Sequence, residues 1–546
     1  MKCNGFYKTI VLLTFFFCFA CQQNEETNHD GTASQPTPGG TLIVGIPQDI
    51  DTFNPLFSES MVASEITHLL LPGLADLDAK SRFVPQTSSS WKYSDGGKKL
   101  TYFLHKNVRW TDGTPLTASD VVFTYELLKD ERVGSPKRQW VELIEKVEAI
   151  DSFQVMFTFA QPYPLSIFDT AGEILPRHYL INAERTQLNS HAFGREPLSF
   201  GPYFLKRWKT RQFIELAAND NFFRASPFLK SLFFKVIPDE NNLLIQLQTG
   251  EIDMAIDVPV DKVKETVLAN PNLNVYPLSG RLYYYLGYNE AQKKFASTRV
   301  RRALTMAVNR QMMIDALLDG YGRICLGPIP PMLSWAYNDT IQEIPFNQQQ
   351  AKKLLAEEGW IDSDGDGWLD KDGDTFNFVL NTDAGNGRKK DIAVVIQDQL
   401  RQIGVKVDIN LLEWGSLINR LGKRDFEAYI GGWNTPVYID PTPIFHSSSV
   451  DLFNHGGYAN SRVDELIEQG REELDQNKAG EIWKELQAII YSEQHYNFLF
   501  WVDRLVLIDK RFKNVTPIPL SALYNIENWY DASQSLKHLT AAADGD

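Results

Sequence analysis

Short apolar runs alternate with helical patterns through most of the chain, beginning at Thr41. Thr41 to Ile46 reads as a strand, and Lys99 to Trp110 as one or two strands closing on the Asp112-Gly113 turn. Thr117-Ala-Ser-Asp120 is a capping box, predicting a helix over Val121 to Leu128. Residues 231 to 237 and 281 to 289 look like buried strands. Val300, Ala303, Leu304, Ala307 and Val308 share one face of a helix that is expected to run on to Gly320. Asn347 to Gly359 has an Asn at its start and a Gly at its end, as a capped helix requires. Ser461-Arg-Val-Asp464 is a second capping box, followed by two helical stretches up to about Glu493. The mixture predicts an α/β protein with no internal repeat.

The N-terminus reads as an address. Lys2 and Lys8 precede an apolar run from Ile10 to Ala20, too short for a stable membrane anchor but matching the core of a secretory signal. It stops at Ala20-Cys21, which resembles a bacterial lipoprotein cleavage site. Residues 1–20 are therefore expected to be a lipoprotein signal peptide, with Cys21 the lipid-bearing residue. The polar stretch from 21 to 40, rich in Gly, Pro, Ser and Thr, is expected to be a flexible tether. The protein would then be exported, on the periplasmic or cell-surface side, and held to the membrane by lipid. Cleavage removes Cys3 and Cys18, leaving Cys325 as the one thiol of the folded body, so burial rather than a disulfide must stabilise it.

Composition narrows the function. The 546 residues carry 54 Lys and Arg against 69 Asp and Glu, a net charge of −15, which argues against a nucleic-acid partner. Aromatic residues make up 12%, enough to line a large pocket as well as fill cores. No nucleophile-elbow, dinucleotide, phosphate-loop or zinc-protease motif occurs, and no cofactor is called for. Cys325, between Ile324 and Leu326, reads as a small buried hydrophobe. Asp362, Asp364, Asp366 and Gly367 resemble the first half of a calcium loop, but position twelve is Gly373 and the bidentate Glu is missing. The competing reading is a solvated hairpin turn before a strand from Phe376 to Leu380.

Several segments in order resemble the family 5 extracellular solute-binding proteins of ABC importers, the dipeptide- and oligopeptide-binding group. They are Gly40-Thr-Leu to Phe53-Asn54-Pro55-Leu56; Trp91 to Gly97; and Lys106-Asn-Val-Arg-Trp110-Thr-Asp112-Gly113 running to Asp120-Val-Val-Phe. Then come Gly201-Pro202-Tyr203, Tyr285 to Asn289 with Arg299-Val-Arg301-Arg302-Ala303, Ala351 to Trp360, Gly431-Gly432-Trp433 with Asp440-Pro441, and Gly457 to Asp464. The resemblance covers roughly residues 39 to 530.

It implies a two-lobed periplasmic-binding-protein type II fold with a hinge and an extra inserted domain. Lobe one would comprise 39–73, 200–282 and 515–540, the inserted domain 74–199, and lobe two 283–514. It implies a monomer that traps a small solute, a peptide by preference, in the cleft and hands it to ABC permease and ATPase subunits. By position, ligand contacts fall on Glu59, Ser60 and Met61, on Tyr283 and Tyr285 at the first crossing, and on Gly432, Trp433 and Asn434. One departure stands out: peptide-binding relatives carry an Asp three residues after that Trp to pair with the ligand's amine, and this chain has Pro436. Asp440 or Glu59 would have to stand in, or the ligand would be an oligosaccharide, an opine-like compound or a metal chelate. Two other classes remain open from the residues alone: an exported lipoprotein hydrolase using a carboxylate pair, and a surface glycan-binding lipoprotein.

Overall fold

The structure is a computed structural model that describes residues 36–534. The expected signal peptide, Cys21 and most of the tether lie outside the described residues. Three principal sheets organise the rest. A seven-stranded sheet runs in the order Leu273–Leu278, Arg504–Asp509, Met254–Ile256, Thr41–Ile46, Ser231–Val236, Phe213–Ala218, Tyr203–Lys209. A six-stranded sheet runs Gly322–Ile324, Tyr496–Val502, Leu282–Tyr288, Ala428–Asn434, Asn377–Asp383, Lys406–Leu412. A four-stranded antiparallel sheet (Ser88–Ser94, Lys99–Leu104, Gln154–Phe159, Ile144–Asp151) belongs to the segment inserted after the first strand and helix.

The strands form where alternation demands it. Leu42, Val44 and Ile46 point to a core shared with the four-stranded sheet, while Leu505 and Leu507 face the other way into the core of the six-stranded sheet. Burying one such Leu or Ile side chain is worth about 1.5–3 kcal/mol.

Two direct strand-to-strand links join the large sheets. One passes from Leu278 to Leu282 through Ser279, Gly280 and Arg281; the other passes from Val502 to Arg504 through Asp503. They lie side by side: a Cβ on Gly280 would stand 1.9 Å from the Val502 carbonyl oxygen, so only glycine fits. The return link corrects a sequence-drawn boundary. Arg504–Asp509 pairs with Met254–Ile256 and with Leu273–Leu278, so the chain re-enters the first lobe at 504 rather than at 515. Its hydrophobic run resumes after only Asp503 and Arg504 beyond Tyr496–Val502, which hid the change of sheet.

Local signals translate well where they are short-range. Thr117 and Asp120 form the reciprocal capping box of the helix Ala118–Lys129. Asn347 Oδ1 accepts from the Gln350 N–H at 2.9 Å at the start of Gln348–Glu357. Two expectations change. The helix expected to run from 300 to 320 is two, Thr298–Met306 and Arg310–Leu318, because Asn309 starts a new one by accepting from the Met312 N–H at 2.9 Å. The cap of Ser461–Glu472 is Asn460, not Ser461; Asp464 instead accepts from the Ser447 N–H at 2.9 Å.

Motif residues that carry the family resemblance hold this frame together. Arg301 is 3% exposed and its guanidinium donates to the carbonyls of Phe295 (2.7 Å), Ala296 (3.1 Å), Glu493 (2.8 Å) and Gln494 (3.0 Å), closing the end of one helix onto the start of another. Asn289 Nδ2 donates to the carbonyls of Arg424 (3.2 Å) and Phe426 (2.9 Å).

Candidate functional site

The helix Met61–His68 begins at Ser60, whose hydroxyl accepts from the Ala63 N–H at 3.4 Å. That cap turns Glu59, Ser60 and Met61 toward a cavity of about 570 Å³, which they line together with His68, Asp76 and Phe168. Met61 is 62% exposed although it is apolar.

Two titratable pairs mark this cavity. His68 Nε2 lies 3.1 Å from Asp76 Oδ2. Burial opposes a charge on the imidazole, but Asp76, and more distantly Glu173, outweigh it and raise its pKa to about 9. The Asp76 carboxyl is held below its usual range by the same partner, against the pull of burial, so the pair is ionised at neutral pH. Across the cavity, burial pushes the Asp169 carboxyl up to about 6, while a 2.9 Å hydrogen bond from the Tyr163 hydroxyl opposes the rise.

The strand pair Leu282–Tyr288 and Ala428–Asn434 forms the second part of the site. Its register sets Tyr283 opposite Trp433, Tyr284 opposite Gly432 and Leu282 opposite Asn434. Tyr283 and Trp433 line a small cavity of about 30 Å³ with Pro436, Tyr438 and Asp440. Asp440 is the one carboxylate among its lining residues, and it accepts from the Thr442 N–H at 3.1 Å. Tyr285 sits elsewhere: its ring stacks on Tyr496 at 4.0 Å inside the core. Gly431 makes room for that ring, since a Cβ there would approach it to 2.1 Å. Tyr284 packs on Phe500 on the opposite face of the sheet.

Glu59, Ser60 and Met61 thus share one cavity, and Tyr283 and Trp433 share another. The structure does not bring the two sets into one. The link runs through residues the sequence reading did not select. Phe168 from the inserted segment and Tyr438 beyond the second strand meet edge-to-face at 6.5 Å, and both are more than a third exposed. Both line a third cavity of about 870 Å³. An aromatic residue a few positions after a proline was the signal available, as in Pro164-Leu-Ser-Ile-Phe168, which enters the short helix Ser166–Thr170, and Pro436-Val-Tyr438.

Away from these cavities, Asp362, Asp364 and Asp370 bring carboxylate oxygens within 4.8 Å of one another. Asp366 is not of this group; it accepts from the Trp368 N–H at 2.8 Å. Both oxygens of Asp362 already accept loop amides, from Gly365 (2.8 Å) and Gly367 (3.1 Å). Cys325 is fully buried, and burial pushes its thiol well above the ordinary range.

Comparison with known proteins places this geometry. Residues 82–451 match the model of the bacterial extracellular solute-binding proteins, family 5, middle region. The chain is 33% identical over 534 residues to the oligopeptide-binding protein AppA of Bacillus subtilis, covering 96% of this chain and 97% of that protein. The structure of AppA in complex with a nonapeptide superposes with a TM-score of 0.62 over 91% of this chain and all of that one. NikZ of Campylobacter jejuni in complex with Ni(L-His), 25% identical, superposes with a TM-score of 0.64 over 90% of this chain and 99% of its own.

Proposed function

The chain belongs to family 5 of the bacterial extracellular solute-binding proteins of ABC importers, and on that premise we propose that it captures an oligopeptide between its two lobes for delivery to a permease. The family is one of solute-binding proteins, so the chemistry is capture and release rather than turnover, and neither the hydrolase nor the glycan-binding alternative gains support. The observation that carries the peptide reading is the likeness to AppA along nearly the whole of both chains, together with one cavity on each side of the crossings.

Ligand contacts divide between lobes. Glu59, Ser60 and Met61 serve from the first, and Trp433 and Tyr283 from the second, with Asn434 and Gly432 offering strand-edge backbone. A ligand touching both sides binds the closed arrangement better than the open one and shifts the population toward it. Closure about the Gly280 and Asp503 crossings excludes water and strengthens each hydrogen bond to the peptide. With Pro436 in the small cavity, Asp440 is the residue left to meet a ligand amine there.

Export and anchoring complete the reading. Among the described residues no helix is long and apolar enough to cross a membrane. Lipid on Cys21 and a tether to about residue 40 would keep the body, acting as a monomer, within reach of its permease. Native mass spectrometry of the protein purified from its own cells tests the assignment: a co-purifying peptide series, released unaltered, is expected. A bound saccharide or metal chelate would replace the peptide reading. Cys21→Ala is expected to release the protein from the membrane fraction, and unchanged partition would remove the lipid from the account.

A further inference from the structure

The cavity of about 570 Å³ beside Ser60 is walled by the first lobe and the inserted domain, and no residue of the second lobe lines it. Its charges do not balance. Glu59, Asp76, Asp169 and Glu173 line it against His68 and Lys137. His68 and Asp76 satisfy each other at 3.1 Å. Lys137 holds its ammonium 5.8 Å over the Trp140 ring. That leaves Glu59, Asp169 and Glu173 with no ion pair among the described residues. Glu59 is exposed to water, but Asp169 and Glu173 are partly buried. A carboxylate taken out of water without a cation is costly unless a partner arrives.

Both carboxylates are held in place. Glu173 forms an antiparallel bridge to Gly73, and a Cβ on that glycine would stand 2.1 Å from the Ala171 carbonyl oxygen, so only glycine lets the chains approach. The Glu173 carboxylate accepts no hydrogen bond among the described residues and acts on His68 through space. Asp169 accepts from the Tyr163 hydroxyl at 2.9 Å, and burial pushes its carboxyl up with no cation to oppose it. The remaining walls are apolar. Phe83 and Phe168 meet edge-to-face at 6.3 Å, and Trp140 is 55% exposed although it lines the cavity. A long cationic side chain has this same division, an apolar stem and a charged head.

Resting on the peptide reading above, we propose that this cavity selects peptides carrying an arginine or lysine side chain, whose charged head meets Glu173 and Asp169 while its stem lies along Phe83, Phe168 and Trp140. Glu173 and Asp169 are then specificity-determining residues. A neutral side chain of the same shape would shut both carboxylates away from water unpaired, so the cavity discriminates by charge rather than by size.

Titration calorimetry tests this with an alanine pentapeptide in which one arginine is walked along the chain, each peptide paired with its citrulline twin, which has the same shape and no charge. At one position arginine is expected to bind about tenfold tighter than citrulline, as a charge-assisted hydrogen bond provides. Glu173→Gln and Asp169→Asn keep the shape of the wall, and the second keeps an acceptor for Tyr163. Each is expected to cut the arginine-to-citrulline ratio at that position at least threefold and to leave the citrulline peptide within twofold of the native protein. A ratio near one at every position overturns the proposal while the peptide reading stands. So does a preference equal at all positions, which would report the overall charge of −15 rather than this cavity. A ratio unchanged in both variants, or both twins weakened alike, also overturns it. If no peptide of the series binds the native protein, the peptide reading itself fails, and this inference with it.

Discussion

Arg504 donates to Glu65 Oε1 at 2.8 Å, tying the first residue after the return crossing to the helix whose N-terminus carries Ser60. The same guanidinium donates to Asp257 Oδ1 at 2.5 Å. Glu65 Oε2 is buried without a hydrogen-bond partner, and burial raises the pKa of its carboxyl despite the arginine beside it. Arg504→Met therefore strands a buried carboxylate. It is expected to destabilise the protein by about 3 kcal/mol in urea unfolding, and Glu65→Gln by less. Equal small losses for both would show that the pair contributes nothing to stability.

Trp433 stands opposite Tyr283 and touches Phe453 edge-to-face at 5.1 Å. Trp433→Ala is expected to weaken nonapeptide binding by about 2 kcal/mol, roughly thirtyfold, while leaving the unfolding midpoint nearly in place. Unchanged affinity in calorimetry would remove this ring from the binding site.

On the proposed binding mode, Asp440 meets the ligand amine that Pro436 cannot. Asp440→Asn is expected to lower affinity for a free-amine peptide about tenfold and to leave its N-acetylated form unaffected, since only the former carries the charge the carboxylate would meet. Arg471 Nε, 3.9 Å away, already shares that carboxylate and limits the effect. Parallel losses for both peptides would mean that Asp440 acts through the fold of its loop.

His68 supplies a pH dependence whose sign follows from its partner. Its folded pKa, about 9, lies above the ordinary imidazole value of 6.5. The associated stability is fully present below 6.5 and is lost as pH rises through 9. Thermal unfolding is expected to show Tm falling over that interval, with a flatter curve in His68→Gln. Identical curves for the two proteins would show that the His68–Asp76 pair is not the source.

Arg301→Met tests the buried guanidinium. It leaves the carbonyls of Phe295, Glu493 and Gln494 without their donor, and a loss of about 3 kcal/mol is expected in urea unfolding. Ligand affinity at a temperature where the variant is folded is expected to stay within twofold, because Arg301 lines none of the three cavities.

How much was legible depended on range. The Thr117–Asp120 box and the Asn347 cap were readable because both partners lie within four consecutive residues. The strand at 281–289 was readable because both its faces are buried, which makes a continuous apolar run. The sheet to which Arg504–Asp509 belongs was not, since its neighbours Met254–Ile256 and Leu273–Leu278 lie over two hundred residues earlier. The resemblance marked Arg301 and Asn289 without revealing that they cap helices and loops rather than contact ligand. Tyr283 and Tyr285 looked equivalent on one strand face, and only the three-dimensional packing put Tyr496 against the second. Phe168 and Tyr438 meet only through tertiary folding, and no spacing rule joins them.

Groups near an axis of rotation barely travel when the bodies on either side turn. Arg281 sits on the first crossing, its carbonyl accepts from the Thr435 N–H at 2.9 Å, and its guanidinium donates to the Thr435 carbonyl at 3.0 Å. Tyr283 and Trp433 are each two residues from that clasp, so they keep nearly the same place whether the jaws are apart or together. On the proposed binding mode, a guest docked there is gripped first and surrendered last.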